Sequence, residues 1–359
     1  MRWSKKKAWE WYNSRPWLRG CNYMSADCAN RVDQWQELGF EERFKTTEEE
    51  LKLMQATGFN TVRLILEYVV WKEEHDSFME RFERYISLCD RYGISCMIVL
   101  ANDCMPPKTE RWKMPYVGEQ EYDHGYHGGK KHSQHGAHKG PAPHFYLDDP
   151  ISREDYFKMV TEIVTKYKND KRICIWDVYN EPGSSHRETV TLPNLKRMFE
   201  VVRACAPSQP LTCPVLGTPR EDNIALNELE RYALDHSDIV SYHCYDEYTK
   251  HIKFIKWLKK EGRPIINTEW LGRCFNNDVF SLFPLFYLEK IGCYIGHFEK
   301  RDYFLELPRE YNHEEIENKL KDILALPKVP ENESETFSFG SDYSLFKDNK
   351  EILNVTFQF

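Results

Sequence analysis

Apolar and polar residues fall into blocks along this chain, and the blocks repeat. A short apolar run is followed by a polar loop, then by an amphipathic stretch, and then by the next apolar run. The apolar runs are mostly continuous, which is typical of strands that are buried on both faces. They predict eight strands, at 17–24, 61–68, 95–103, 173–180, 211–217, 239–245, 264–270 and 292–298.

The stretches between the strands predict helices, several of them with start signals. Thr47 and Glu50 form a capping-box pattern, and Pro193 lies near the start of another helical stretch. Strands that alternate with helices form parallel sheets, and eight such units predict a closed (β/α)8 TIM barrel. The alternative is an open doubly wound sheet, which is disfavoured because no glycine-rich phosphate loop follows any strand. Other helix starts are predicted at Asp76 and Ser152, and further helices at 222–235, 250–261, 278–290 and 312–325.

Two regions depart from this rhythm. Residues 104–150 form a long insertion after the third strand, rich in His, Gly, Lys and Pro. Long loops on this side of a barrel usually form the site or cover it. Residues 327–359 follow the last helix and contain two strand-like stretches, which predict a short β appendage. We therefore expect a barrel domain at 1–326 and a C-terminal extension at 327–359.

The composition narrows the class of protein. The 359 residues are 41% hydrophobic, enough for a large core, and the net charge of −8 includes no basic stripe, which disfavours nucleic-acid binding. No apolar run reaches the roughly 18 residues of a membrane span. The lysine-bearing N-terminus lacks the apolar segment of a secretion signal. The 11 cysteines form no CxxC pair, which fits reduced core thiols and predicts a cytoplasmic location.

Reactive side chains gather at the ends of the predicted strands, where the active sites of such barrels lie. Glu181 follows Asn180 at the end of the fourth strand, and Glu269 precedes Trp270 at the end of the seventh. The second strand also ends with a glutamate, Glu67. Two carboxyl groups that face each other across a barrel mouth suit glycosidic bond cleavage, one as acid and one as nucleophile. The other strand ends offer Arg63, Asn102, Asp103, His243 and Tyr245.

The motifs at these strand ends resemble those of a known family. They are GFNTVRL at the second strand, WDVYNEPG at the fourth, YHCY at the sixth and INTEW at the seventh. In this order and at barrel intervals, they resemble the retaining (β/α)8 glycoside hydrolases, most closely glycoside hydrolase family 5, the cellulase-like family, with its xylanase-like sequences. The resemblance covers roughly residues 17–300 and implies a retaining glycosidase without a cofactor.

The resemblance also implies roles for the matching residues. Glu181 resembles the acid/base, Asn180 the donor to the sugar 2-hydroxyl, and Glu269 the nucleophile. Arg63 resembles the arginine that holds the nucleophile ionised, and Tyr245 the tyrosine that donates to it. A cation and a hydroxyl beside Glu269 would favour its ionised form, while a drier site would favour the protonated form of Glu181. The other expected substrate-binding residues are His243, Trp270, Asn102 and Asp103.

Two features leave other functions open. Histidines in the insertion are spaced as zinc ligands are, which would suit a metal-dependent hydrolase, although a polar lid over the site fits them better. The eighth strand lacks the tryptophan that many relatives place there, so Tyr294, His297 or Phe298 would have to replace it. A diverged eighth strand would suit a carbohydrate-binding barrel without activity. The histidines are His124, His127, His132, His135, His138 and His144.

The main expectation is a retaining glycosidase that cleaves β-linked or arabinofuranosyl oligosaccharides, or small glycosides, of plant-polysaccharide type. Because no secretion signal is visible, we expect an exo-acting enzyme on imported substrates, with the insertion closing one end of the cleft. No metal, nucleic-acid or membrane partner is expected, and the oligomeric state is left open.

Overall fold

The computed structural model describes residues 1–104, 114–120, 144, 146–216, 218–220, 223–271, 277–296, 336–338 and 356–358. Within these residues the chain forms the predicted parallel (β/α)8 barrel. The barrel strands are β1 (Arg19–Asn22), β2 (Thr61–Ile65), β3 (Ser95–Val99), β4 (Ile173–Asp177), β5 (Leu211–Thr212 and Pro214–Val215), β6 (Val240–His243), β7 (Ile265–Trp270) and β8 (Gly292–Ile295).

The barrel closes through its fifth strand, which is divided into two pieces. Leu211–Thr212 pairs with β4, and Pro214–Val215 pairs with β6 on the other side. β8 pairs with β1, so the ladder runs around the whole barrel. This closure leaves the carboxyl ends of all strands on one rim, where the reactive side chains can meet.

The helices surround the barrel, and some begin elsewhere than predicted. α3 begins after Gly39, whose φ is +71°, so Thr47 lies inside that helix rather than at its cap. α6 begins at Pro150 with Asp149 as its cap, and α8 has an Asn227–Glu230 capping box. The helices are α1 (Lys5–Asn13), α2 (Arg31–Trp35), α3 (Phe40–Ala56), α4 (Tyr68–Glu73), α5 (His75–Arg91), α6 (Pro150–Tyr167), α7 (Leu192–Ala204), α8 (Glu228–His236), α9 (Tyr248–Leu258) and α10 (Val279–Leu288).

The barrel interior is apolar at the end away from the rim. Met97, Ile175 and Ile266 pack there with Tyr294, and Tyr12 of α1 joins them from below. The Tyr12 hydroxyl donates to the Lys290 carbonyl and accepts from the Gly292 amide, which fixes α1 across this opening. A larger apolar core fills the space between the strands and the helices. Charged groups inside the barrel are therefore a feature of its other end.

Several predicted features lie wholly or partly outside the described residues. The insertion is described at residues 104, 114–120, 144 and 146–150, and the helix predicted at 312–325 is not described. In the C-terminal region, Thr336–Ser338 pairs antiparallel with Thr356–Gln358, and the domain division at 326 stays a prediction. Two further short strands, Thr218–Arg220 and Asn223–Ala225, form a hairpin. Among the described residues, no helix has the length and apolar character to cross a membrane.

Candidate active site

Glu269 reaches the barrel interior from a barrel strand. It lies on β7 opposite His243 of β6, after a one-residue bulge that follows Asn267. The Glu269 amide donates to the Asn267 side chain at 3.1 Å. The Tyr245 hydroxyl donates to Oε2 of Glu269 at 2.7 Å, and Nη1 of Arg63 donates to Oε1 at 2.9 Å. Strand pairing and two donors thus fix this carboxylate.

Arg63 of β2 is the buried centre of a network with side chains of β1, β4 and β7 and of the segment that follows β4. Its Nε and Nη2 both donate to Oδ2 of Asp177, at 2.9 and 2.8 Å. Its Nη1 donates to Asn22 and its Nη2 to Asn180, each at 2.6 Å. Burial lowers the pKa of Arg63, but the charges of Asp177 and Glu269 outweigh burial, and the net pKa is raised. Arg63 therefore remains a cation and binds four of the surrounding polar side chains.

Glu181 reaches the same space from a loop. It directly follows Asn180, and its backbone has φ of +44°, a left-handed conformation that glutamate rarely adopts. Its Oε2 accepts from the Cys104 thiol at 2.8 Å and from the Ser184 hydroxyl at 3.1 Å. Burial, and next the charge of Glu181, raise the pKa of Cys104 well above its usual range. Cys104 therefore stays a neutral thiol that donates to the carboxylate.

His243 links the two glutamates. Its Nδ1 lies 2.7 Å from Oε1 of Glu181 and 3.5 Å from Oε2 of Glu269. One atom from each of these three residues lies within 4.8 Å of the other two, so the two carboxyl groups face each other across a narrow gap. The side chains of Glu181 and Glu269 keep 18% and 11% of their surface exposed, so both remain accessible to a ligand.

Asn102 supports Asn180 at the rim. The Asn180 side-chain amide donates to the Asn102 carbonyl oxygen at 2.6 Å, and the two residues form a parallel β-bridge. A small pocket lies next to Asn102, and Arg31, Glu67 and His144 line it together with apolar and aromatic side chains. The pocket therefore places three further hydrogen-bonding groups beside Asn102.

Groups in this pocket have perturbed acidities. Burial raises the pKa of Glu67, although the neighbouring charge of Arg31 opposes it. Burial, and next the charge of Arg187, lower the pKa of His144 to about 3, so that imidazole is neutral. Nδ1 of His144 accepts from the backbone amides of Tyr146 and Leu147, which leaves the proton on Nε2.

Comparison with known proteins identifies the family. The family model for cellulase (glycosyl hydrolase family 5) matches residues 26–282, more than half of the chain. The chain belongs to glycosyl hydrolase family 5. This is the family that the strand-end motifs predicted.

Individual relatives of this family 5 protein are distant. A β-glucuronidase from Chlorocebus aethiops is 25% identical over 197 residues, which span 52% of this chain and 24% of that protein. The chain thus spans about a quarter of that relative's length. The β-mannanase from the blue mussel Mytilus edulis has a TM-score of 0.54 at 13% identity, over 80% of this chain and 88% of that chain. The β-1,4-mannanase from the sea hare Aplysia kurodai has a TM-score of 0.53 at 13% identity, over 79% and 88% of the two chains. At these identities the two structures support the fold alone.

The structure of this family 5 protein places two of the predicted site residues elsewhere. Trp270 is fully buried and packs against Phe283 and Phe286 of α10, with ring centroids 6.4 and 5.0 Å away. It therefore lies in the layer between strands and helices, since neighbours on a strand face opposite sides and Glu269 faces inward. Asp103 is fully buried, and its carboxylate is bonded to protein groups rather than presented at the rim.

Tyr294 of the eighth strand does not replace the tryptophan that many relatives place there. Tyr294 is buried in the apolar end of the barrel, where its hydroxyl lies 3.1 Å from that of Thr61. His297 and Phe298, the other two candidates, lie outside the described residues, as do the histidines between 124 and 138. His144 is the member of the histidine series that the structure places, and it lines the pocket beside Asn102.

Sequence reasoning missed two contacts of this family 5 site. Asp177, the counter-ion of Arg63, stands inside the apolar run IWDV, and a carboxylate buried there requires a cation nearby. The aspartate in this apolar run was therefore a signal in the sequence for a nearby cation. Cys104 gave no signal of its contact with Glu181, because an isolated cysteine after a strand is usually an ordinary core residue. Within the described residues, Glu181, His243 and Glu269 are also close enough together to hold a metal ion.

Proposed function

We propose that this protein is a retaining glycosidase that cleaves β-linked glycans by double displacement. The observation that supports it most is the approach of Glu181 and Glu269 to the same imidazole nitrogen, with one oxygen of each within 4.8 Å of the other. Retaining enzymes keep their carboxyl groups about 5–5.5 Å apart, whereas inverting enzymes need about 6.5–9.5 Å to admit a water molecule.

The surroundings of the carboxylates support different roles for them. Glu269 accepts from the permanently charged Arg63 and from Tyr245, which favours an ionised nucleophile. Glu181 accepts from the neutral Cys104 thiol and from Ser184, shares a hydrogen bond with Nδ1 of His243, and lies on the loop side of the gap. In the proposed first step, Glu269 attacks the anomeric carbon while Glu181 protonates the departing oxygen. In the second step, Glu181 takes a proton from water, and this water releases the sugar from Glu269.

The proposed substrates are β-linked oligosaccharides, and a panel of aryl glycosides identifies the sugar that the site accepts. The names of the relatives suggest β-mannosides and β-glucuronides, and the family description suggests β-glucosides. Asn180 is proposed to donate to the sugar 2-hydroxyl, because its side chain is fixed beside Glu181 by Asn102 and Arg63. Sugar hydroxyls farther from the glycosidic bond that is cleaved would enter the pocket between Glu67 and His144.

Exo action and a cytoplasmic location complete the proposal. The ten cysteines that the structure describes are free thiols, which fits a reducing compartment. Exo action predicts that a long oligosaccharide releases one small product from its end, with a slow fall in chain length. Early appearance of products of random length would contradict exo action and leave the glycosidase proposal intact.

A panel of aryl glycosides tests the function. Purified protein is assayed on β-mannoside, β-glucoside, β-xyloside, β-galactoside, β-glucuronide and α-L-arabinofuranoside, with Glu181→Ala and Glu269→Ala beside it. Turnover of one sugar that both variants lose would support the carboxylate pair and name the sugar. Binding of oligosaccharides without turnover of any of them would contradict the proposal. Activity that a chelator abolishes would favour a metal-dependent hydrolase.

A further inference from the structure

The loop that carries Glu181 is strained. In the described chain, seven residues other than glycine have positive φ, and four of them, Glu181, Ser185, His186 and Glu188, lie in this loop. Gly183 has φ of +89°, and a Cβ atom there would lie 2.8 Å from the Glu188 carbonyl oxygen. Such a conformation persists only when its surroundings hold it in place.

Asp103 supplies the main anchor from the end of the third strand. Its Oδ1 accepts from the Tyr179 hydroxyl at 2.9 Å and lies 3.1 Å from Nε of Arg187. Its Oδ2 accepts from the Gly183 amide at 2.7 Å and from the Thr191 hydroxyl. These four donors lie just before, within and just after the strained turn.

Arg187 extends this anchor to the far end of the insertion. It is almost fully buried, and its Nη1 and Nη2 donate to the two oxygens of Asp148, at 2.8 and 2.7 Å. Asp103 directly precedes the insertion, and Asp148 lies near its end. The Arg187 guanidinium therefore joins the two ends of the insertion. Removal of one partner of such a buried ion pair leaves an uncompensated charge, which is strongly destabilising.

We propose that Asp103, together with Arg187, is a positioning residue that sets the place of the acid/base Glu181. This inference rests on the proposed function of Glu181. Asp103 touches neither the gap between the glutamates nor the pocket beside Asn102. It acts through the Gly183 amide, two residues from Glu181, and through Arg187.

Asparagine has nearly the same shape as aspartate, but its side-chain amide cannot replace the Asp103 carboxylate here. The Gly183 amide donates to Oδ2 of Asp103. The Arg187 guanidinium, whose Nε donates to the Thr191 hydroxyl, lies 3.1 Å from Oδ1 and is paired with it by charge, so N–H groups face both oxygens of Asp103. In Asp103→Asn, either orientation of the side-chain amide places an NH₂ group against one of these donors. The substitution keeps the volume and breaks the anchor, so the turn that presents Glu181 is expected to relax.

The test separates loss of proton donation from general damage. Good leaving groups, such as a dinitrophenolate, depart without a proton, while poor ones, such as a sugar alcohol, need the acid. A misplacement of about 1 Å costs about 100-fold in rate. We therefore expect Asp103→Asn to lose about 100-fold in kcat/KM with a poor leaving group and less than about 10-fold with a good one. Glu181→Gln removes the acid itself and gives the largest expected difference in kcat/KM between poor and good leaving groups. Asp149→Asn, on the surface next to Asp148, is the matched control.

Equal losses with both leaving groups, or no loss, would overturn the inference. Asp148→Asn, whose side chain is 37% exposed, offers a milder variant in case Asp103→Asn does not fold, and it should show the same selectivity at smaller size. Amide hydrogen exchange of the peptide 181–188 provides a readout that needs no substrate. We expect exchange at least about 10-fold faster in Asp103→Asn or Asp148→Asn than in Asp149→Asn. Unchanged exchange would contradict the anchor even if no glycoside is turned over, whereas failure of the wild type alone would count against the proposed function.

Discussion

Glu269 and Glu181 face the same narrow gap but are held there by different kinds of structure. Glu269 lies on β7, where strand pairing fixes its height and the buried Arg63 fixes its carboxylate. Glu181 lies on a turn with left-handed backbone, and polar side chains from the loops hold it. The sheet therefore positions Glu269, which lies beside the permanent cation Arg63. A strained loop positions Glu181.

The difference matters for chemistry because the two proposed roles make different demands. A nucleophile must be ionised and stationary, which a strand and an arginine provide. An acid/base must gain and lose a proton at a set point beside the leaving group, which requires placement more than charge. Substitutions that exchange or weaken these two kinds of support should therefore have distinguishable effects.

Removal of each carboxylate should produce the largest effects and opposite products. We expect Glu269→Ala to lose about 10⁴-fold or more in kcat and Glu181→Ala about 10²- to 10⁴-fold. Azide added to Glu269→Ala should attack from the vacated side and give the inverted glycosyl azide. Azide added to Glu181→Ala should attack the intermediate on Glu269 and give the retained product. NMR of the azides decides this, and the same anomer from both variants would contradict the assignment.

Surface substitution provides the control for both variants. Glu228→Ala changes a glutamate on α8 whose side chain is 73% exposed. It should leave kcat/KM and the products unchanged.

Loss of Arg63 should damage both stability and activity. Arg63→Met leaves Asp177 and Glu269 as buried carboxylates without their cation, and breaking such a buried pair costs about 3–5 kcal/mol in the free energy of unfolding. Denaturant unfolding measures this cost. Arg84→Met, which breaks a pair with Glu41 on the surface, should shift the unfolding midpoint far less. Similar midpoints for the two variants would show that Arg63 is not the centre of the network.

Removal of the Tyr245 hydroxyl should have an intermediate effect. A hydrogen bond to a charged group contributes about 1.5–3 kcal/mol, so Tyr245→Phe should lose about 10- to 100-fold in kcat/KM. Burial, and next the charge of Glu269, raise the pKa of Tyr245 well above its usual range. The hydroxyl therefore keeps its proton as pH rises, and the ratio of wild type to variant should stay constant from about pH 6 to 9. A ratio that falls toward one at the alkaline end would contradict this.

The smallest effect is expected at Trp270. Because its ring packs against α10 and not in the gap, Trp270→Phe should change activity least of these variants, while the smaller ring should cost about 0.5–3 kcal/mol in stability. The KM for the aryl substrate should stay within about two-fold of the wild type. A ten-fold increase in KM would show that the ring contacts sugar, as the sequence had suggested.

The sequence predicted the strands well because each is a continuous apolar run that must be buried on both faces. It predicted helix starts less well. Gly39 begins α3 through a left-handed cap, which no side-chain signal announces, and the helical pattern at 222–235 contains a short strand before α8. The helix α1 across the lower opening was not predicted, because its tertiary contacts with Lys290 and Gly292 determine its place.

The candidate site was predictable where strand geometry decides it. Arg63, His243, Tyr245 and Glu269 meet because the strand ends share one rim. Alternation along a strand also allows only one of two neighbours to face inward, and this excludes Trp270 beside Glu269. Asn180 and Glu181 are neighbours that both face the site because φ of +44° turns the chain between them. That turn depends on Asp103 and Arg187, which no local pattern connects.

The most direct test of the central claim is the stereochemistry of the first-formed product. The wild type is mixed with its aryl β-glycoside in an NMR tube, and the anomeric proton of the released sugar is recorded before mutarotation. Double displacement through Glu269 and Glu181 predicts that the β-anomer appears first. First appearance of the α-anomer would mean a single displacement by water, and would contradict the assignment of Glu269 as nucleophile.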